Sequence, residues 1–326
     1  MQPERVNADK PHLWKADIAA SVDRFNQWFL RFAPLTFRST RVQTTESVKA
    51  ALLATDDLRN LDVQTLRANP GAIRTLRMCT APPIAVDRLI GLSSANKSLI
   101  GRMESGQLAK RMKEEVLIEH LSSVCRVIEK LLDRDIFPWL DSGSDPTDHD
   151  RVRAATIIAD RWCAAEASSI SERARANQQI SVISRFLESL GYREVKDCGR
   201  CVATTHEPGT YGRSVPVPVA TGRKWLVPFD IAVLPPPDES LQGPVLIDVE
   251  SPACIWAARR RARSIIQKQQ LLQTTYGDSL SYLVMFGGVL DAGVLGMLAA
   301  AGTDWIWQHR IEVYDARLPD RYLLRT

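Results

Sequence analysis

Apolar residues recur at helical spacing near the start of the chain. Ile18, Val22, Phe25, Phe29 and Phe32 follow one another at intervals of four, three, four and three, which puts them on one stripe of an α-helix. Pro34 is expected to end that helix, because an internal proline removes a ladder hydrogen bond and crowds the preceding turn. A second helix is expected from Thr44 or Thr45, with Glu46 in the first turn, where the helix dipole favours an anion. A long helical pattern covers about Gln107 to Asp133, and Pro82-Pro83 interrupts the region between. The run from Phe137 to Asp148 is rich in Pro, Gly, Ser and Asp and reads as a linker. Residues 151–190 again read as helical, and Gly191 suits the left-handed position that closes a helix. The expected division is a helical N-terminal region over residues 1–145 and a second domain over 146–326.

Beyond Gly191 the texture changes to short strands. Residues 224–234 (KWLVPFDIAVL) form one, stopped by Pro235, Pro236 and Pro237. Residues 244–249 (PVLIDV) form another, 255–275 a basic helix, and 282–286 (YLVMF) a fully apolar strand of the kind found at a sheet centre. An alanine-rich helix over 291–301 and a last strand from Ile306 to Tyr314 complete the pattern. Strands interleaved with helices define an α/β layered domain.

Composition is that of an ordinary globular protein, with 45% hydrophobic and 25% charged residues. No apolar run is long enough to span a membrane, and the charged N-terminus lacks the apolar stretch of a secretory signal, so the expected location is the cytoplasm. Cys79, Cys125, Cys163 and Cys254 are isolated and read as small buried hydrophobes. The net charge of +4 permits a polyanionic partner without demanding one. Its distribution says more, because Arg259, Arg260, Arg261 and Arg263 crowd into five positions.

The chemistry-bearing constellation is Val227-Pro228-Phe229-Asp230, followed eighteen residues later by Asp248-Val249-Glu250. Residues two apart on a strand share a face, so Asp248 and Glu250 project together. A turn between the two strands returns the chain beside itself and brings Asp230 close to both. Converging carboxylates repel unless a cation neutralises them, and hard oxygen donors suit Mg²⁺. A bound Mg²⁺ polarises a phosphodiester and lowers the pKa of a water, the requirements of phosphodiester hydrolysis. Asp230 and Asp248 are the candidate metal ligands, and Glu250 is assigned to a second metal or to the attacking water. An isolated Asp-x-Glu is also common by chance, and an aspartate beside a strand is often a turn residue or a helix cap.

Here the sequence resembles a known family. Residues 216–237 (PVPVATGRKWLVPFDIAVLPPP) and 243–264 (GPVLIDVESPACIWAARRRARS) are similar to the catalytic segment of the XamI family of type II restriction endonucleases, and 21–34, 80–92, 186–193 and 290–311 extend the likeness over nearly the whole chain. The resemblance implies an α/β PD-(D/E)xK restriction-endonuclease-like core, a mixed sheet flanked by helices, with an α-helical N-terminal region. It implies Mg²⁺-dependent cleavage of double-stranded DNA by a homodimer acting on a palindrome, and the family's namesake is associated with GTCGAC. One departure matters: the family usually carries Glu-x-Lys where this chain has Asp248-Val249-Glu250. Lys268, on the following helix, is expected to restore the lost positive charge if it faces the site, as are Arg259 to Arg261. The alternative is a catalytically impaired homologue that binds DNA without cutting it.

Arg259, Arg260, Arg261 and Lys268 are candidates for gripping phosphates, with a solvated helix face as the plainer alternative. Base reading needs Arg, Lys, Asn or Gln at the major groove, and Arg38, Arg41, Asn177, Gln178 and Gln179 are the candidates. Trp14, Trp28 and Phe29 read as core. Cys198, Cys201 and His206 invite a zinc reading but lack a fourth ligand. Glu188 is either an auxiliary acid for a second metal or a helix-surface residue.

Overall fold

The computed structural model describes residues 5–109, 111–196, 207–221, 223–235 and 244–312. Cys198, Cys201 and His206 lie outside these residues, as do Pro236 and Pro237. Contacts divide the chain into two units, Met1–Phe32 with Glu172–Thr326, and Ala33–Ser171. These divisions differ from the expected one at 145/146 because two long helices, α1 (Pro11–Ala54) and α8 (Asp148–Ser189), each contain a boundary.

Helix α1 does not stop at Pro34, and the helix expected to begin at Thr44 or Thr45 is its continuation. Phe25 before the proline and Val48, Ala51 and Leu52 after it are all buried. Packing on both sides therefore carries the helix through a residue that locally weakens it. Phe29 is exposed, so the predicted apolar stripe is only partly covered.

The 33–171 unit is helical. It contains α2 (Val63–Ala68), α3 (Ile73–Met78), α4 (Val86–Ser93), α5 (Lys97–Met103), α6 (Glu114–Leu131) and α7 (Trp139–Ser142). Helix α6 starts seven residues later than the sequence pattern suggests. Its apolar face, Leu117, Leu121, Val124 and Ile128, packs with Leu66, Ile73, Leu76 and Leu99. The expected linker is part of this core. Phe137 and Trp139 are buried, and the Trp139 indole N–H donates to the Asp57 carbonyl at 2.8 Å. Cys79, Cys125 and Cys163 are buried as expected, whereas Cys254, in the other unit, is exposed.

The other unit is built on a six-stranded mixed sheet in the order β1-β2-β3-β4-β5-β6. The strands are β1 (Arg193–Val195), β2 (Thr210–Thr221), β3 (Arg223–Leu234), β4 (Val245–Glu250), β5 (Ser281–Phe286) and β6 (Asp304–Trp307). β2, β3 and β4 form an antiparallel meander, and β4, β5 and β6 run parallel. Their crossovers are α9 (Ile255–Tyr276) and α10 (Ala292–Ala300). The apolar β5 is an interior strand, and β6 ends at Trp307, before the expected Tyr314. At the end of α8, Gly191 adopts φ +86° and Tyr192 N–H returns to the Leu187 carbonyl, the left-handed closure the sequence suggests.

Side-chain alternation separates two core layers. Val245, Ile247 and Val249 face Ile183 and Leu187 of α8. Leu246 joins Ala258, Ala262 and Ile265 of α9 and Leu295 of α10 on the opposite face. Asp248 and Glu250 share the parity of Leu246, so the strand period directs both acids toward α9. Burial of the outward rows on both faces makes this a three-layer α/β/α arrangement.

One carboxylate gathers the backbone of the N-terminal segment, alongside the Asn7 amide, which donates to the Trp305 carbonyl at 2.7 Å. Asp304 accepts from the backbone N–H groups of Asn7 and Ala8 at 3.0 Å each, and from that of Val6. Replacing Asp304 by Ala strands these donors and is expected to cost about 1–3 kcal/mol in urea unfolding, with Asp304→Asn losing less. Equal stability of wild type and Asp304→Ala would show that these carboxylate contacts contribute no net stability.

Candidate active site

The site forms where two strands part. β3 and β4 pair only through Ile231↔Ile247, Ala232↔Leu246 and Val233↔Val245. The next positions in that register are Asp230 and Asp248, and there the ladder stops. On the other side of β3, Ser214 stands opposite Asp230 in a left-handed conformation, φ +51°, and the Ser214–Asp230 step is absent from an otherwise continuous β2–β3 ladder. A serine at positive φ is uncommon and costs conformational energy. The Asp230 carboxylate takes over one lost ladder bond, accepting from the Val249 N–H at 2.8 Å through Oδ2.

The parting strands open a cavity of about 440 Å³, lined by Asp230, Asp248, Glu250, Lys268, Arg260 and Arg261 among others. Asp248 is buried, and two donors meet its Oδ2: Lys268 Nζ at 2.6 Å and the Tyr282 hydroxyl at 2.8 Å. Lys268 reaches from α9, also donates to the Pro228 carbonyl at 2.9 Å, and lies 4.5 Å from the centre of the Phe229 ring. Glu250 points to Arg261, whose Nε is 3.5 Å from Glu250 Oε2, and Arg261 Nη2 is 3.6 Å from Glu172 Oε2.

Burial raises the Asp230 carboxyl above its usual range, against the pull of the Val249 N–H. Burial also pushes Glu250 up to about 7, with Arg261 opposing and the charges of Asp248 and Asp230 adding to the rise. Tyr282 is raised well above its ordinary value by burial and by the Asp248 charge, so it acts as a hydrogen-bond donor.

The donor chemistry fits a hard divalent cation. Asp230, Asp248 and Glu250 supply carboxylate oxygens on one cavity wall, and the hydrogen bonds described at Asp230 and Asp248 engage only Oδ2 of each. They do not stand as a preassembled cluster: among the described residues no three His, Cys, Asp or Glu side chains form one, and Asp230 and Asp248 accept hydrogen bonds while Glu250 faces Arg261.

Of the arginines, Arg260 and Arg261 line the cavity. Arg259 lies 3.4 Å from Asp291, and Arg263 is exposed. Gln179 cannot read bases. It is fully buried, and its amide nitrogen donates to the Glu250 and Met285 carbonyls at 3.3 and 3.4 Å. Asn177 and Gln178 are exposed on α8, and Arg38 and Arg41 are exposed in the helical unit. Glu188 is exposed, accepts from the Tyr211 hydroxyl at 2.8 Å and does not line the cavity.

Three supporting residues escaped the sequence reading. Tyr282 carried a signal, a hydroxyl in an otherwise apolar strand. Ser214 carried none, since its backbone angle has no local sequence cue. Arg175 is buried without a carboxylate partner among the described residues. It donates to Ser251 Oγ at 3.0 Å and to Gln178, and lies 5.3 and 5.7 Å from the Trp28 and Phe25 rings. Desolvation pulls its pKa down to about 10.

A sheet whose parting strands place acids and a lysine in one cavity, flanked by cations, defines a restriction-endonuclease-like α/β protein. The XamI restriction endonuclease model matches residues 56–307, and the chain belongs to that family of site-specific DNA-cleaving enzymes. It is 38% identical over 311 residues to the type II restriction enzyme SalI of Streptomyces albus G, covering 95% of this chain and 99% of that protein. No solved structure matches.

The raised Glu250 carboxyl has a stability consequence. A group whose pKa is higher folded than unfolded favours the fold at low pH, and that advantage disappears as pH rises through the folded value. Relative to Glu250→Gln, metal-free wild type is expected to lose stability between pH 4.5 and about 7, on the order of 3 kcal/mol. Urea unfolding across that range measures it, and a difference independent of pH would show that Glu250 is not raised.

Proposed function

We propose that the protein hydrolyses phosphodiester bonds of double-stranded DNA at a specific palindrome, GTCGAC, as a Mg²⁺-dependent type II restriction endonuclease of the PD-(D/E)xK kind. On this reading it leaves 5′-phosphates and works in the cytoplasm as a homodimer, since a two-fold protein matches a two-fold site and cuts each strand once. The observation that carries the reading is the placement of Asp230 opposite Asp248 where β3 leaves β4, in a cavity that also holds Lys268.

Asp230 and Asp248 would hold Mg²⁺, with Glu250 serving a second ion or the attacking water. An ion held there would supply charge to offset that of a scissile phosphate and would make a water more acidic. Glu250, on the same cavity wall beside Arg261, would be placed to orient the attacking water and to accept its proton as a carboxylate. Lys268 supplies the cation that position 250 lacks. It reaches the site from α9 rather than from β4, with its ammonium already at Asp248. Arg260 and Arg261 would grip the flanking phosphates.

Plasmid digestion tests the proposal. Wild type with Mg²⁺ should give discrete fragments with 5′-phosphate ends mapping to GTCGAC, and chelation should abolish them. Asp230→Ala should cut at least ~100-fold more slowly while still retarding a duplex in a gel. Lys268→Ala should also lower cleavage far more than binding. Plasmid that is bound yet stays intact would overturn the catalytic reading, and fragments unrelated to GTCGAC would overturn the specificity alone.

A further inference from the structure

We propose that Trp256 is a DNA-contact residue on the cavity rim, packing its indole against the duplex beside the scissile phosphate. The inference rests on the endonuclease reading and adds a recognition element to it. Trp256 is the second residue of α9 and is 83% exposed. A tryptophan side chain normally buries a large apolar area, yet this one joins neither core layer of its unit.

Its position connects it to the cavity. Pro252, Ala253, Ala257, Arg260 and Arg261 all line that space. Residues four apart on a helix lie one above the other, so Trp256 sits one turn before Arg260, on the same helix face. Arg260 is exposed, and among the described residues no carboxylate lies within ion-pair distance of it, whereas Arg259 and Arg261 are engaged with Asp291, Glu250 and Glu172. The rim therefore presents an uncovered indole beside an unneutralised guanidinium, at the mouth of a cavity suited to a phosphodiester. A polyanion whose phosphates alternate with apolar sugar rings complements that pair better than a neutral protein surface does. The indole N–H donates to a phosphate or sugar oxygen, while the ring face packs on a deoxyribose.

The two neighbours should differ in how salt affects them. A phosphate contact releases counterions, so Arg260→Ala should reduce the slope of log affinity against log salt by about one. An uncharged indole releases none, so Trp256→Ala should weaken binding about equally at every salt concentration.

Fluorescence anisotropy on a labelled GTCGAC duplex, with full-length protein and Ca²⁺ in place of Mg²⁺ to occupy the acids without supporting cutting, tests this. We expect Trp256→Ala to bind roughly 10-fold more weakly, with unchanged salt slope and unchanged melting temperature, and Trp256→Phe to recover most of the loss. Sedimentation without DNA should find wild type and Trp256→Ala in the same oligomeric state. Equal affinity of wild type and Trp256→Ala, an altered salt slope, or loss of affinity explained by dissociation of the protein's own copies would each overturn the inference. A wild type that binds no duplex would instead overturn the endonuclease reading, and this inference with it.

Discussion

Asp248 is a carboxylate held almost out of water, and Lys268 and Tyr282 are what make that tolerable. An ionised carboxylate without compensation in such a place costs several kcal/mol or shifts its pKa until it neutralises. The requirement constrains the geometry around it. Helix α9 has to pass residue 268 across the end of β4, and the same ammonium is anchored to the Pro228 carbonyl and the Phe229 ring. One lysine thus fastens the helix to the two strands that carry the acids. Removing it would leave a buried negative charge and unfasten α9 from β3, so loss of activity and loss of stability are coupled at this residue.

The parting of β3 from β4 is equally costly and equally local. Backbone groups that leave a ladder need new partners. The Asp230 carboxylate satisfies the Val249 N–H, and on the β5 side of the same strand end the Gln179 amide adds a donor to the Glu250 and Met285 carbonyls. The Gly287 N–H adds a third contact to the same strand end, donating to Glu250 O at 2.9 Å. A side chain at Gly287 would meet Gln308 Oε1 at 2.5 Å, and one at Gly288 would meet the Pro252 carbonyl at 2.6 Å. Small residues are therefore needed after β5 for the β4 terminus to stay in place.

Much of this was legible in the chain. The period-two rule placed Asp248 and Glu250 on one face, β3, β4, β5 and α9 lie within a residue of their predicted bounds, and Gly191 closes its helix as its residue type suggests, whereas β1 and β2 were not predicted. The misreadings share a cause. Pro34, the Phe137–Asp148 run and Gln179 were judged by local propensity, and tertiary packing decides each of them: a helix held on both sides of its proline, two aromatics drawn into a core, an amide buried beneath a strand end. The direction of Lys268 depended on which turn of α9 crosses β3, and the Ser214 backbone depended on the strand opposite it. Neither quantity is encoded within a few residues of the position itself.

The crowd of arginines at 259–263 overstates the charge available to a polyanion. Arg259 is engaged with Asp291, Arg261 spans Glu250 and Glu172, and Lys268 is engaged with Asp248. On the proposed reading, an entering phosphate would compete with these pairs, and a cation entering with it would compete for the same acids. Each arrival relieves the repulsion the other would meet, because the cation takes over carboxylates from the protein's own cations and leaves those cations free for phosphate. A cavity that is nearly self-neutral when empty therefore disfavours either charge alone and favours the two together. The free energy for breaking the internal pairs then has to come from contacts outside the cavity, on the exposed faces of the helices and strands around its mouth.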